Sequence, residues 1–127
     1  KLLKDNMNEL SKIYGLEELI GCSGYPCRTV MSIKKVKKYN KPLITKTLIQ
    51  QELMSRGVLW SQYQSISFAH KKEHIYKSLN AFEDAFRVLS KIVKSGKKIE
   101  NSLIGKPCLP FFTRVADFNA AALNSKD

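Results

Sequence analysis

Ile75-Tyr-Lys-Ser-Leu79-Asn-Ala-Phe82-Glu-Asp-Ala-Phe86-Arg-Val-Leu89-Ser-Lys-Ile-Val93 is the stretch that decides the fold. Its apolar residues Ile75, Leu79, Phe82, Phe86, Leu89 and Val93 step by four, three, four, three and four, which marks one face of an α-helix. An apolar stripe of about five turns must be covered, so a sheet or another helix is expected beneath it. Gly96 is expected to end the helix in a left-handed cap. A stripe of this kind forms core; it does not bind a cofactor.

Toward the N-terminus the signals alternate. Leu3, Met7, Leu10 and Tyr14 outline a first amphipathic helix, ended by Gly15. Residues 18–23 and 28–34 read as two short strands around the turn Gly24-Tyr25-Pro26. Pro42 opens a second helix over roughly 43–56, with Ile44 paired to Leu48 and Ile49 to Leu53, and Gly57 closes it. Val58-Leu59-Trp60 and Ile66-Ser-Phe-Ala69 are expected to be two further strands around a polar loop, Ser61 to Ser65. Beyond the long helix, Ile99 to Ile104 reads as one more helical turn. Residues 107–127, with Pro107, Pro110, Phe111, Phe112 and Phe118, read as an extended tail on a domain spanning 1–106. The order is helix, two strands, helix, two strands, long helix, tail. That order predicts an α+β fold, a small mostly antiparallel sheet with helices packed on one face.

The 127 residues suit one compact core, and the apolar fraction of 43% is that of a folded chain. No apolar run reaches the length of a membrane span, so no membrane partner is expected. The three cysteines Cys22, Cys27 and Cys108 form no CxxC pair, so they read as reduced thiols in a cytoplasmic protein. The chain enters its first helix at Lys1 rather than at Met, which suggests a piece of a longer protein. Charge is the loudest compositional signal, with 22 Lys and Arg against 11 Asp and Glu. Eighteen of the 22 are lysines, and only Lys34, Lys35, Lys37, Lys38 and Lys41 form a tight group. That Lys34–Lys41 group is the one place where a basic module could hold nucleic acid. Without arginines or spaced aromatics a solvated loop is the stronger expectation.

His70-Lys-Lys-Glu73-His74 has the H-x-x-E-H spacing of a zinc-protease helix. The chain has no third histidine, and at a helix start the same residues serve as caps, so no metal site is expected. Nothing in the spacing suggests a catalytic triad, and no catalytic residue is assigned. Gly21-Cys-Ser-Gly24 is too short to cradle phosphate. Trp60 with Gln62, Tyr63 and Gln64 could shape a ligand-facing loop.

A family resemblance adds to these readings. Met54-Ser-Arg-Gly-Val-Leu59, then Ser65-Ile-Ser-Phe-Ala-His70, then a helix with Glu73, Ile75, Leu79, Phe82 and Phe86, resembles the C-terminal small domain of glutamate-1-semialdehyde aminomutase-like enzymes. These belong to the class III group of fold-type I aminotransferases. Gly24-Tyr25-Pro26 and the strand through Ser32 resemble the family's "gly-tyr-pro" phrase. Ser95-Gly96, Leu103, Gly105-Lys-Pro107 and Pro110-Phe-Phe-Thr-Arg-Val115 resemble the close of a branch associated with polysaccharide biosynthesis. The resemblance implies a homodimeric parent enzyme, a transaminase or aminomutase. It would carry pyridoxal phosphate on a lysine of a large domain that precedes the region matched here. It implies no cofactor and no activity in this chain alone. The small domain would pack on the large one and line the substrate side of the cleft through Gln62, Tyr63, Gln64 and Ser65. Arg28, where that branch has an aromatic, would be a possible carboxylate contact. Residues 58–69 contain no acid, unlike the loop of the aminomutase proper, so the resemblance points to a relative with another amino donor or acceptor.

Overall fold

The computed structural model describes residues 1–36, 38–39 and 41–110. The elements run α1 (Leu2–Ile13), β1 (Ile20–Tyr25), β2 (Arg28–Ile33), α2 (Pro42–Ser55), β3 (Tyr63–Ser65), α3 (Lys72–Ser95) and a 3-10 turn at Ile99–Ser102. The strands form one antiparallel sheet in the order β1-β2-β3, with α2 inserted between its second and third strands. The expected α+β architecture is therefore present. Among the described residues no helix is long and apolar enough to cross a membrane.

Register explains the single buried face. Cys22 pairs with Met31, Ile20 with Ile33, and Thr29 with Gln64, so these side chains point the same way. On that face Ile20, Cys22, Met31, Thr29 and Gln64 are buried. The opposite face carries Ser23, Tyr25, Arg28, Tyr63 and Ser65, all exposed. The helices close the buried side. The long stripe behaves as expected, with Leu79, Phe82, Phe86 and Leu89 buried and Ile75 and Val93 packed at its rim. Leu3 and Met7 of α1 and Leu48, Ile49 and Leu53 of α2 complete the core. Gly96 ends α3 at φ 71°, as its position predicted.

Two expected strands are absent. Val58–Trp60 and Ile66–Ala69 form no ladder; the third strand is Tyr63–Ser65, inside the stretch expected to be a polar loop. The physical reason is that side-chain burial and strand pairing have separated. Val58 stays tied to α2, its N–H donating to the Leu53 carbonyl at 2.9 Å. Trp60 buries its indole edge-on against Phe82, with centroids 6.0 Å apart. In β3 the one inward residue is Gln64, a polar side chain that gives no apolar alternation to read. Past Ile66, a turn closed by the His70 N–H on the Ser67 carbonyl leaves Phe68 fully exposed.

Candidate functional site

The segment resembling a substrate-facing loop surrounds a cavity of about 160 Å³ between β3, residues 58–60 and the start of α3. Tyr63, Gln64 and Ser65 line it together with Trp60, His70 and Ser78; Gln62 and Arg28 do not. Gln62 sits at φ 89°, the one non-glycine residue with positive φ among those described, and its carbonyl accepts the Met31 N–H at 3.0 Å. That left-handed turn lets the chain enter β3 beside the central strand.

Gln64 is turned inward and fully engaged. With its amide oriented by the surrounding donors, its oxygen accepts the Trp60 indole N–H at 2.8 Å. Its nitrogen donates to the Thr29 hydroxyl at 2.7 Å and the Thr29 carbonyl at 3.0 Å. It is a buried brace joining the loop to β2, with no polar atom left for a ligand. Tyr63 and Ser65 point outward. The Arg28 guanidinium lies 5.8 Å from the Tyr63 ring centroid, and Arg28 pairs in register with Ser65. Arg28, Tyr63 and Ser65 thus form one exposed polar group on the open sheet face, and Tyr25 stands beside Arg28 across the hairpin.

The histidines have backbone work. Nδ1 of His70 accepts the Ser67 N–H at 3.1 Å, and Nδ1 of His74 accepts the Lys71 N–H at 3.1 Å, capping α3. Both rings therefore keep only Nε2 for anything else. Among the described residues no three His, Cys, Asp or Glu side chains converge as metal ligands. Arg56, in the "arg-gly-val" phrase, donates to the Glu52 carboxylate at 2.8 Å and to Asp84 at 3.2 Å, clamping the end of α2 to α3. Those two carboxylates, Glu52 first, hold its guanidinium pKa above the ordinary value.

A larger cavity, about 350 Å³, was not anticipated from the sequence. It lies where Lys38, Tyr39 and Lys41 meet the start of α2 and the residues that follow α3. Lys38, Lys41, Lys97 and Lys98 line it together with Tyr39, Ile44, Thr45 and Ile99. The Tyr39 hydroxyl donates to the Val93 carbonyl at 3.0 Å and fixes the turn against α3. Lys41 Nζ stands 3.3 Å from Glu100. The Glu100 carboxyl is held below its ordinary range, first by its own backbone N–H and then by Lys41 and Lys98. The only sequence signal was the lysine group itself, which gave no hint that Lys97 and Lys98 would join part of it. Lys37 of that group lies outside the described residues, as do Phe111, Phe112 and Phe118.

No family model matches the chain, and no curated protein or solved structure matches it.

Proposed function

We propose that this chain is the small domain of a pyridoxal-phosphate-dependent transaminase or aminomutase, lining the substrate side of the cleft and inactive alone. Support comes from the order of the resembling phrases, each of which falls on a distinct structural task. Gly24-Tyr25-Pro26 enters the hairpin, Arg56-Gly57 closes α2 onto α3, and Ser65 to His70 leads from β3 into the long helix. The observation that carries the proposal furthest is the open sheet face. Tyr25 is 80% exposed and Tyr63 54%, on a face that no described helix covers, and Phe68 projects beyond the end of β3. Aromatic side chains left in water on one side of a domain suit packing against another domain.

The residues present do not fit the cofactor itself. Every described lysine is exposed except Lys4 and Lys46, which are half-buried, and Lys4 Nζ donates to the Gly24 carbonyl. None is enclosed as a Schiff-base lysine must be, so no step of the cofactor's chemistry is assigned to this chain. Its own contribution would be binding. Arg28 and Ser65, side by side on the open face, can receive a substrate carboxylate through a charge-assisted bond.

The complete open reading frame provides the test. Its product should bind pyridoxal phosphate as a Schiff base to a lysine upstream of Lys1, and substitution of that lysine should abolish the aldimine absorbance. A reading frame opening at or just before Lys1 would defeat the proposal.

A further inference from the structure

The two edges of the sheet are not equivalent. Along β1 the outward backbone groups are answered by α1 and the segment after it. The Ile20 N–H donates to the Leu16 carbonyl at 2.7 Å. The Asn8 amide accepts the Cys22 N–H at 2.8 Å and donates to the Cys22 carbonyl at 2.9 Å. Lys4 Nζ donates to the Gly24 carbonyl at 3.1 Å. Along β3 nothing corresponds. The Met31 N–H donates to the Gln62 carbonyl and the Ile66 N–H to the Cys27 carbonyl. With Thr29 opposite Gln64, the bonded rungs between β2 and β3 therefore join Met31 to Gln62, Thr29 to Gln64 and Cys27 to Ile66. The N–H and carbonyl groups of Tyr63 and Ser65 alternate with those rungs and face away from β2, and no partner meets them among the described residues. Residues 57–69 also hold no charged side chain and no proline, the devices that usually keep a strand edge from pairing.

Two further features narrow what can pair there. The cavity of about 160 Å³ is lined by all three residues of β3, and its walls include the core residues Trp60 and Phe82. It is smaller than the roughly 300 Å³ at which small-molecule pockets begin, which suits a single apolar side chain better than a free ligand. A residue opposite Gln64 on an added strand would project to the same side as Gln64, which itself lines the cavity. The surroundings of the edge are positive. The Arg28 guanidinium lies 5.8 Å from the ring centroid of Tyr63, on the edge strand itself, and Lys71 and Lys72 follow β3 at the start of α3. Among the described residues none of these three has an ion-pair partner, and residues 53–72 contain no acid. Residues opposite Tyr63 and Ser65 on an added strand would share the sheet face of Arg28. A second copy of the chain, at net charge +11, would bring the same unanswered cations to the edge, whereas an acidic partner answers them.

We infer that β3 takes up an extended acidic segment of another protein as a fourth strand, with acidic residues opposite Tyr63 and Ser65 and an apolar side chain between them entering the cavity. This edge is a different surface from the open sheet face, and its use does not depend on the aminotransferase reading.

The probe is the end-blocked peptide Glu-Val-Glu-Leu-Glu-Val-Glu, titrated calorimetrically into the chain at near-physiological salt. It should bind with a Kd below about 100 μM, and the same peptide with lysine for each glutamate at least about tenfold more weakly. Strand pairing uses the N–H groups of alternate peptide residues, so N-methylation of one alternate set should abolish binding while N-methylation of the other changes it less than about threefold. On saturation, amide hydrogen exchange should slow at Tyr63 and Ser65 in the unaltered chain. Ser65→Pro removes an N–H that β2 does not use and should weaken the peptide about tenfold or more. K71Q/K72Q should weaken it severalfold, and K34Q/K35Q, with the same loss of charge away from β3, much less. Absence of binding, equal affinity for the acidic and basic peptides, equal effects of the two N-methylated sets, or unslowed exchange at Tyr63 and Ser65 would each overturn the inference. Sedimentation should show a monomer; a dimer that Ser65→Pro dissolves would overturn it too, and would give the edge to a second copy.

Discussion

Gly24 stands at φ 100°, two residues before the Pro26–Cys27 turn, and a Cβ built there would lie 2.6 Å from the Arg28 carbonyl oxygen. Both the left-handed backbone and the close approach exclude a side chain, and the obstacle is backbone that cannot swing aside. Gly24→Ala should therefore destabilise the chain by about 1–3 kcal/mol, read as a lowered urea midpoint. Gln64 is the other residue on which local order depends. Gln64→Leu would leave the Trp60 indole N–H and the Thr29 carbonyl without the partners they have now, at a cost of about 2 kcal/mol. Because Trp60 is the chain's single tryptophan, its native-state fluorescence should shift in the same variant. Cys22 gives a pH dependence. Burial raises its thiol pKa, outweighing the Thr29 hydrogen bond and the Lys4 charge that lower it. As pH rises past the unfolded thiol's value, the unfolded chain loses a proton that the folded chain keeps, so stability falls. Urea midpoints measured from about pH 7 to about pH 10 should decline, and Cys22→Ala should remove that part of the slope.

At the scale of elements, α3 is the beam to which the others attach. α1 meets it through the Tyr14 hydroxyl, which donates to Glu83 at 2.9 Å, and through Ser90, which donates to the Tyr14 carbonyl at 2.7 Å. α2 meets it through Leu48, Ile49 and Leu53 and through Arg56 on Asp84. Phe86 lies at the middle of this assembly with no exposed surface. Phe86→Ala should cost about 3–5 kcal/mol through lost burial and the cavity left behind. Arg56→Gln should cost about 1 kcal/mol or less, since its ion pairs are partly exposed. Thermal melts of the two variants side by side would check the ranking, and a larger loss in the Arg56 variant would contradict it. These elements were legible because their side-chain spacing repeats over many residues. β3 was not, for it is three residues long with its burial carried by a glutamine.

For the whole molecule, the exposed face of the sheet sets what can be asked of it. Tyr25, Arg28 and Tyr63 contribute little to the chain's own core, so the double variant Y25S/R28M should keep its stability within about 0.5 kcal/mol. In the full-length enzyme that the proposed aminotransferase reading implies, Arg28→Met alone should raise KM for a carboxylate substrate about tenfold with kcat little changed, the pattern of lost ground-state binding. Steady-state kinetics with wild-type and variant proteins decides this; an unchanged KM would remove Arg28 from the site.

The sequence by itself determined the three helices, their glycine ends, the first hairpin and the α+β class, because each of these rests on local periodicity or on a backbone requirement written in neighbouring residues. Tertiary structure alone decided where the third strand lies and which polar side chains are buried. It also decided that Lys38 and Lys41 would share a cavity with Lys97 and Lys98. Those outcomes depend on pairing and packing between residues far apart in the chain, and no local pattern of apolar side chains encodes them.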